Sequence, residues 1–334
     1  MNMDVIDRPP LSTTIQQLMR TAMVFLLQGQ TPEGFWRDYD IRGDDASVGP
    51  CSDQWVSGYI GCALLDGASQ IDDRELAEQA GHTARHAARW LDSNRIYAAG
   101  WGYNAQSGPD ADSTAWARLL HKRCGILLAQ RDEDFLLEHH RADGGFATYL
   151  PGRGTWSTTH PDVSVTVFWA LPGSVQQRIE GPLWSSLEAA NRSDGLWNAF
   201  WWHTVYYHGL NMLLLYLQRH RPVPAVPPLG PASNHLIHGA ADLALLAAID
   251  ALRHGVSPVT AAMLAGLHRF RHDAGGWIAN AHLAVRAIDG RPDDPPVYLF
   301  ADDNRLMTAA HVLRALAAIE ALRKSDSTRR QRES

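Results

Sequence analysis

The apolar positions of this chain recur with helical spacing, and no stretch shows the strict alternation of a β-strand. Segments such as 56–65 and 163–171 are apolar nearly all round, which predicts helices buried on every side. The segment 74–91 instead carries charged side chains on one face, which predicts a half-buried helix. Buried and half-buried helices alternate along the chain, about six of each, and this pattern predicts an all-α fold.

A short turn motif recurs between these helices. Each copy ends a helix at Leu, places a polar residue four positions later and a Gly four positions beyond that, and closes with an aromatic residue two positions further on. The copies cover 26–36, 136–146, 187–197 and 267–277, with a looser copy at 91–101. Helical hairpins repeated at intervals of about 50 residues form closed rings or solenoids. Because polar or acidic residues open the buried helices, we expect a ring, an (α/α)6 barrel (toroid) of six inner and six outer helices.

The ring is expected to use nearly the whole chain. Residues 13–322 are predicted to form a single α/α barrel domain, residues 1–12 an N-terminal arm, and the charged residues 323–334 a disordered tail. The Pro-rich segment 222–231 is predicted to be a stiff linker in the gap where one copy of the turn is missing.

Composition argues against several classes of protein. The net charge of −6 and the sequence pI of about 6.2 disfavour a nucleic acid partner. The three scattered cysteines, Cys51, Cys62 and Cys124, fit a reducing compartment better than a disulfide framework. The N-terminus lacks the pattern of a signal peptide, and no apolar run is long enough for a membrane span. We therefore expect a cytoplasmic protein without a membrane span.

Two acids, Asp110 and Asp112, open one of the apolar helices directly after an aromatic, Gly-rich turn. Two carboxyl groups this close titrate together, and in an apolar cavity such a pair could hold a proton near neutral pH and deliver it to a substrate. The alternative is that Asp112 only caps its helix, a role equally open to Asp53, Asp162 and Asp302 at other helix starts. Both interpretations stand at the level of the residues alone.

The turn at 25–36, Phe-Leu-x3-Gln-x3-Gly-x-Trp, resembles the Gln-Trp repeat of squalene–hopene and oxidosqualene cyclases. Their α/α barrel is shared with class II diterpene cyclases and protein prenyltransferase β-subunits, and the resemblance extends from about residue 13 to 322. Class II terpene cyclases open an inner helix with Asp-x-Asp-Asp-Thr-Ala, whose middle Asp protonates the alkene. The segment 110–115 falls on this motif, so the resemblance implies Asp112 as the proton donor and Asp110 as its partner.

Two supports of the acid differ from the family pattern. Ser113 stands in place of the last Asp of the motif, and its hydroxyl and that of Thr114 could orient the acids. Hopene cyclases also place a His four residues after the Asp that opens the next inner helix. Here that Asp is Asp162, and Thr166 occupies the position of the His. His160, two residues before Asp162, is a further candidate to reach the acid pair.

Aromatic residues near these motifs are candidates to line the cavity. The segment 101–103 resembles the Trp-Ala-Phe of the family, whose aromatic residue faces the cation, and 194–202 resembles a turn whose Trp lines the cavity. The candidate substrate contacts are Trp101, Tyr103, Ser113, Thr114, Trp116, His160, Asp162, Thr166, Trp169, Trp201 and Trp202.

The leading hypothesis is a class II terpene cyclase-like enzyme that protonates an alkene or epoxide of an isoprenoid and guides carbocation cyclisation. Such chemistry requires no cofactor, and Mg²⁺ would enter only with a substrate that carries a diphosphate. Most class II cyclases use two barrels, so a second subunit or a homodimer could close the cavity of this single barrel. No metal site is expected, because the pair His268 and His272 lacks a third ligand at a recognisable spacing.

Two other functions compete with the cyclase hypothesis. A non-catalytic isoprenoid- or partner-binding barrel would explain the altered acid motif. A protein prenyltransferase β-subunit would hold zinc with an Asp-x-Cys pair, but none of the three cysteines stands two residues after an Asp. The prenyltransferase hypothesis therefore ranks last.

Overall fold

The computed structural model describes residues 10–39, 51–224, 237–291 and 294–333, and within these ranges the chain is mostly helical. The α-helices are α1 (Leu11–Gln28), α2 (Gln54–Ala68), α3 (Arg74–Ser93), α4 (Ala111–Arg123), α5 (Gln130–Glu138), α6 (Pro161–Ala170), α7 (Gly173–Ala189), α8 (Tyr206–Gln218), α9 (Ala240–His254), α10 (Pro258–Gly266) and α11 (Leu306–Glu333). Short 3₁₀ turns cover Gly154–Ser157 and Leu267–Phe270. Two small antiparallel sheets pair β1 (Trp101–Gly102) with β2 (Pro109–Asp110) and β3 (Leu283–Val285) with β4 (Tyr298–Phe300).

Six helices form a closed inner ring. Each contacts the next in the order α2, α4, α6, α8, α9, α11, and α11 packs against α2 to complete the circle. These helices are buried on nearly every side over their central turns, whereas α1, α3, α5, α7 and α10 bury one face against the ring and expose the other. The all-α toroid predicted from the alternation of apolar and amphipathic segments is confirmed. None of the described helices combines the length and the apolar character needed to cross a membrane.

The described part of the chain contains five outer helices. A sixth outer position would fall between α8 and α9, where residues 225–236 lie outside the described residues, together with most of the predicted linker at 222–231. The two small sheets were not predicted, because strands of two or three residues are too short for an alternating pattern to emerge.

Both ends of the predicted barrel domain differ from the expectation. Helix α1 begins at Leu11, inside the segment 1–12 that was assigned to an arm, and α11 continues to Glu333 through the segment 323–334 that was expected to be disordered. The expectation of a disordered tail rested on charge alone. The segment contains no Gly or Pro and is rich in Arg, Lys, Gln and Glu, which have high helix propensity, so the last helix of the ring extends through it.

The repeated turn has the same backbone conformation at its Gly in all its copies. Its Gly adopts a positive φ, at 103°, 91°, 72° and 85° in the four regular copies, which explains why this position is Gly: Gly34, Gly144, Gly195 and Gly275. The aromatic residue then folds back on the preceding helix. The indole N–H of Trp36 donates to the carbonyl of Leu26 over 2.8 Å, and in the looser copy the indole N–H of Trp101 donates to the carbonyl of Leu91 over 2.9 Å.

Helices α2 and α4 approach each other unusually closely, and Gly58 allows this. A Cβ atom at Gly58 would lie 3.0 Å from the backbone nitrogen of Ala117 and 3.0 Å from the backbone carbon of Trp116. One turn further along α2, a Cβ at Gly61 would meet the side chain of Leu120 at 2.7 Å. The two glycines therefore set the distance between these helices and with it the position of the first turn of α2 against the first turn of α4.

We expect Gly58→Ala to destabilise the protein by about 1–3 kcal/mol, because the new methyl group meets backbone atoms that cannot move aside without shifting α4. The matched control is Gly81→Ala on α3, where the nearest atom to a new Cβ is 3.6 Å away, at the end of the Arg85 side chain. That substitution should be neutral or stabilise by about 0.4–1 kcal/mol. Urea unfolding followed by circular dichroism measures both, and equal stabilities of the two variants would contradict the close approach.

Candidate active site

Acidic residues stand at the start of five of the six inner helices, and most of them are bound by backbone N–H groups. The acids are Asp53 before α2, Asp110 and Asp112 at α4, Asp162 in α6, Asp242 in α9 and Asp302 before α11. Asp302 accepts the backbone N–H groups of Asn280, Ala281 and Thr308, and Asp162 accepts those of Phe200 and Trp201. These carboxyl groups join turns to helices, so their role in the fold is evident.

Asp110 is the residue that caps α4. Its Oδ1 accepts the backbone N–H of Ser113 over 2.8 Å, and its Oδ2 accepts the Ser113 hydroxyl over 2.7 Å. The pairing of β1 with β2 places Asp110 opposite Trp101 and thereby fixes the entry into the helix. Burial raises the pKa of Asp110 to about 6, although both hydrogen bonds from Ser113 act in the opposite direction. Asp110 therefore performs the capping role that the sequence alone left open for Asp112.

Asp112 lies in the first turn of α4 and keeps part of its surface accessible. Its Oδ2 accepts the indole N–H of Trp55 from α2 over 2.9 Å. Burial raises the pKa of Asp112 well above its ordinary value of 3.8, and the charges of Asp110 and Asp162 raise it further. The indole N–H groups of Trp55 and Trp116 lower it, but Trp116 does not reach hydrogen-bond geometry. The raised pKa favours the protonated carboxylic acid at Asp112, which is the form required of a proton donor.

Aromatic rings line the interior of the ring of helices next to this acid. The Trp55 ring lies 6.3 Å from Tyr103 and 5.7 Å from Trp202, measured between ring centroids. The full set that is linked by such contacts is Tyr39, Trp55, Tyr59, Tyr103, Trp116, Trp202 and Tyr207. Aromatic faces attract cations, and none of these side chains carries a strong nucleophile. The interior is therefore suited to holding a carbocation.

A buried polar network supports the far side of this aromatic set. The Tyr59 hydroxyl lies 2.5 Å from Nδ1 of His311 and accepts a hydrogen bond from Arg314 over 3.2 Å. Arg314 is in turn paired with Asp66 at 3.2 Å. Burial lowers the pKa of His311 well below its usual range, so its imidazole is neutral. The network fixes the Tyr59 ring between α2 and α11.

Three of the predicted contacts, Tyr103, Trp116 and Trp202, are thus brought together with Asp112. Two others, Trp101 in the turn that precedes α4 and Thr114 in the first turn of α4, bind each other. Trp101 binds the carbonyl of Leu91 and packs under the Arg95 guanidinium at 3.7 Å, so it closes the repeated turn as Trp36 does. Thr114 accepts the backbone N–H of Trp101 and donates to its carbonyl. Neither side chain orients the acids.

The predicted residues around α6 face other partners. Both ring nitrogens of His160 are engaged, Nδ1 with the Thr148 hydroxyl at 2.6 Å and Nε2 with the Thr155 carbonyl at 2.9 Å, so His160 does not reach the acid pair. Thr166 donates to the carbonyl of Asp162 within its own helix. Trp169 lies seven residues beyond Asp162, which corresponds to about 10 Å along the helix axis.

The neighbouring residues Trp201 and Trp202 point in different directions. The Trp201 indole N–H donates to the Thr148 hydroxyl over 2.7 Å, and its ring contacts Trp156 and His160 in the segment before α6. Trp202 is almost fully buried within the aromatic set. Of the two, Trp202 is the one that faces the interior beside Asp112.

Sequence reasoning missed Trp55 and three of the four tyrosines of the aromatic set, Tyr39, Tyr59 and Tyr207. A signal was present, because Trp55 and Tyr59 are four residues apart on an apolar helix with an acidic start and therefore share one face. What the sequence did not reveal was that this face turns towards Asp112. Within the described ranges, no group of three or more His, Cys, Asp or Glu residues is arranged to hold a metal ion.

Comparison with known proteins identifies the fold. No protein-family model matches the sequence, and a search of curated proteins finds no match. The type II terpene cyclase MstE from Scytonema superimposes with a TM-score of 0.75 at 20% identity, over 94% of this chain and 99% of that one. A protein from Actinoplanes gives 0.70 at 23% identity, over 91% and 99% of the two chains. The ent-copalyl diphosphate synthase from Streptomyces platensis gives 0.51 at 16% identity, over 81% of this chain and 52% of that enzyme. At these identities the likeness establishes the fold, an α/α toroid shared with terpene cyclases.

The raised pKa of Asp112 predicts that Asp112→Asn stabilises the protein as the pH rises. Folding favours the protonated form, so the stability linked to this group is complete below pH 3.8 and is lost as the pH rises through the higher pKa of the folded state. Asn mimics the protonated acid and escapes that loss. We expect the gain in melting temperature to grow as the pH rises above 3.8 and to reach about 2–4 °C, corresponding to roughly 1 kcal/mol.

The control for this experiment is Asp73→Asn at the N-cap of α3. The backbone N–H of Leu76 lowers the pKa of Asp73, so its substitution should reduce stability above pH 3.8, the opposite sign. Melting curves of Asp112→Asn that follow those of the parent protein at every pH would show that Asp112 is ionised in the resting protein.

Proposed function

We propose that this chain is a class II terpene cyclase-like enzyme, in which Asp112 protonates an alkene or an epoxide of an isoprenoid substrate. One observation carries the proposal: a carboxylic acid with a strongly raised pKa opens an inner helix beside a set of buried and half-buried aromatic rings. A non-catalytic isoprenoid-binding barrel would have no need for a buried acid that binds an indole N–H beside the aromatic set and not the backbone N–H groups of a turn. The cyclase is therefore the function that the geometry supports best.

The first step transfers the proton of the Asp112 carboxyl group to the terminal double bond. The π electrons form the new C–H bond, Asp112 is left as a carboxylate, and the positive charge appears on the more substituted carbon. With an epoxide, the proton goes to the oxygen and a C–O bond breaks instead. The same acid serves both substrates, because in each case it acts as a general acid.

Cyclisation then proceeds by attack of successive double bonds on the cation, each forming one C–C bond and moving the charge along the chain. Cation–π contact stabilises such a charge by roughly 0.5–2 kcal/mol per ring, and Tyr103, Trp116 and Trp202 are in the proposed path. The last cation loses a proton to give an alkene or is captured by water. Asp112 regains its proton from solvent, and the cycle needs no redox partner.

The neighbouring structures support the substrate class and the sufficiency of one barrel. MstE has been captured with geranylgeranyl dihydroxybenzoate as its substrate and with merosterolic acid A as its product. Because the present chain matches 99% of the MstE chain, that cyclase is also about one toroid long. By analogy we propose a linear polyprenyl substrate for this chain. The proposal requires neither a second subunit nor a homodimer, and Mg²⁺ would be needed only for a diphosphate head group.

Incubation with geranylgeranyl dihydroxybenzoate and with geranylgeranyl diphosphate in D₂O, analysed by mass spectrometry, tests the proposal. Each product of protonation-initiated cyclisation should carry one solvent deuterium. We expect Asp112→Asn to lose at least about a hundredfold in turnover, because it removes the general acid. The control Asp53→Asn removes another inner-helix acid with a raised pKa outside the aromatic set and should turn over at the parental rate.

Two results would contradict the proposal. A folded Asp112→Asn protein with the parental turnover would show that the acid is misassigned. A parent protein that binds the polyprenyl probes in equilibrium dialysis but converts none of them would favour the non-catalytic barrel.

A further inference from the structure

The two positions where the family supports its acid do not support Asp112 here. Ser113 directs both its backbone N–H and its hydroxyl to Asp110, and Thr166 bonds within its own helix. Among the described residues, the side chain in hydrogen-bond contact with Asp112 is Trp55, whose Nε1–H donates to Oδ2 over 2.9 Å. The side-chain hydrogen bond to Asp112 therefore comes from α2, and not from the residues of α4 and α6 at which the family pattern places the supports of the acid.

The Trp55 indole is held rigidly in the orientation that this bond requires. Its side chain is 4% exposed, and its ring lies nearly parallel to Tyr103, with an interplanar angle of 22°, while Tyr39 and Trp202 contact other parts of it. Trp55 lies one turn before Gly58, where α2 and α4 come closest. The donor is therefore positioned before a substrate arrives, and no reorganisation is needed when charge develops on Asp112.

The charged and titratable groups that act on Asp112 do not favour its carboxylate. Asp110 on α4 and Asp162 on α6 both oppose a negative charge there. Tyr207 on α8 and Tyr149 before α6 are neutral, because burial raises the pKa of each phenol well above its usual range. When the proton leaves Asp112, the strongest electrostatic influences on the new carboxylate from the described residues therefore include no cation.

We propose that Trp55 is a positioning residue of the acid: its indole N–H orients the Asp112 carboxyl group and stabilises the carboxylate that forms as the proton leaves. The inference rests on the proposed function. An indole N–H is a donor only and is never charged. It strengthens its bond as Oδ2 gains charge, yet it does not ionise the acid in the resting state as a Lys or Arg would. By binding Oδ2 it leaves Oδ1 to carry the proton.

The test compares Trp55→Phe, which removes the N–H and keeps an aromatic ring, with Trp184→Phe as the matched control. Trp184 on outer helix α7 also donates its indole N–H to a carboxylate, that of Glu180 over 3.3 Å, but lies outside the aromatic set. With geranylgeranyl dihydroxybenzoate, we expect kcat of Trp55→Phe to fall about 10- to 100-fold, the value of a hydrogen bond to a charged group. KM should stay within about twofold, because the bond matters in the transition state.

The pH profile separates an effect on the acid from a general loss of structure. Activity needs protonated Asp112, so it falls as the pH rises through the pKa of that group. Loss of the indole N–H disfavours the carboxylate, and the alkaline limb of kcat should move to higher pH in Trp55→Phe and stay in place in Trp184→Phe. The terminal epoxide of the same substrate is easier to protonate, so the deficit of Trp55→Phe should shrink with it.

A measurement without turnover keeps this inference distinct from the proposed function. The protonated carboxyl of Asp112 is followed by difference infrared spectroscopy across pH and is assigned by its absence in Asp112→Asn. Its pKa should rise in Trp55→Phe and in a variant with 3-benzothienylalanine at position 55, which keeps the bicyclic shape and lacks the N–H. If the parent protein converts no polyprenyl probe, the proposed function fails while this titration still tests Trp55. An unchanged Asp112 titration together with parental kcat, or with kcat and KM altered in parallel, would overturn the role of Trp55.

Discussion

The candidate site depends on one constraint, which is that a negative charge on the Asp112 carboxyl group is energetically unfavourable. Burial and the neighbouring Asp110 and Asp162 oppose that charge, and the neutral indole N–H groups of Trp55 and Trp116 favour it, with Trp55 in hydrogen-bond contact. Other acids of the inner ring show what the same fold does for carboxylates that serve structure. Asp302 accepts hydrogen bonds from the backbone N–H of Ala281 in a turn and from that of Thr308 at the start of α11, so it stabilises the fold. The start of α4 also offers free backbone N–H groups, but there Asp110, and not Asp112, accepts a hydrogen bond from one of them and caps the helix.

The closed ring of helices makes this arrangement possible. Six inner helices bury nearly all of their surface against one another, and their starts bring acids and aromatic side chains to one another. Gly58 and Gly61 let α2 approach α4 until Trp55 is in hydrogen-bond distance of Asp112. The repeated turn fixes each outer helix to the next inner one, so small displacements at the site are resisted by the whole ring. An acid that destabilises the fold in its charged form is a feature expected of a functional site.

The sequence predicted the ring well, because its information is local: apolar periodicity, acidic helix starts and a turn with a Gly that needs positive φ. It also singled out Asp112, through the motif at 110–115. It failed where the outcome depended on which helices become neighbours. Trp55 lies 57 residues before Asp112, and nothing in the spacing reveals that they meet. Trp101 was placed in the interior by its likeness to a family motif, although its position at the end of the looser turn copy already indicated the role that the structure gives it.

The differences from the family pattern at Ser113 and Thr166 have a joint effect on the charge near the acid. An Asp at position 113 would add a third carboxylate beside Asp110 and Asp112, and a His at position 166 would add a group able to carry a positive charge. The chain has neither, so one potential negative and one potential positive charge are removed together. Ser113 keeps the contact with Asp110 through its hydroxyl, and Trp55 provides the donor that a His would have provided. Because both replacements are neutral, the pKa of Asp112 does not depend on the ionisation of a neighbouring His, and the proposed acid is controlled by burial, by the charges of Asp110 and Asp162 and by the indole N–H of Trp55.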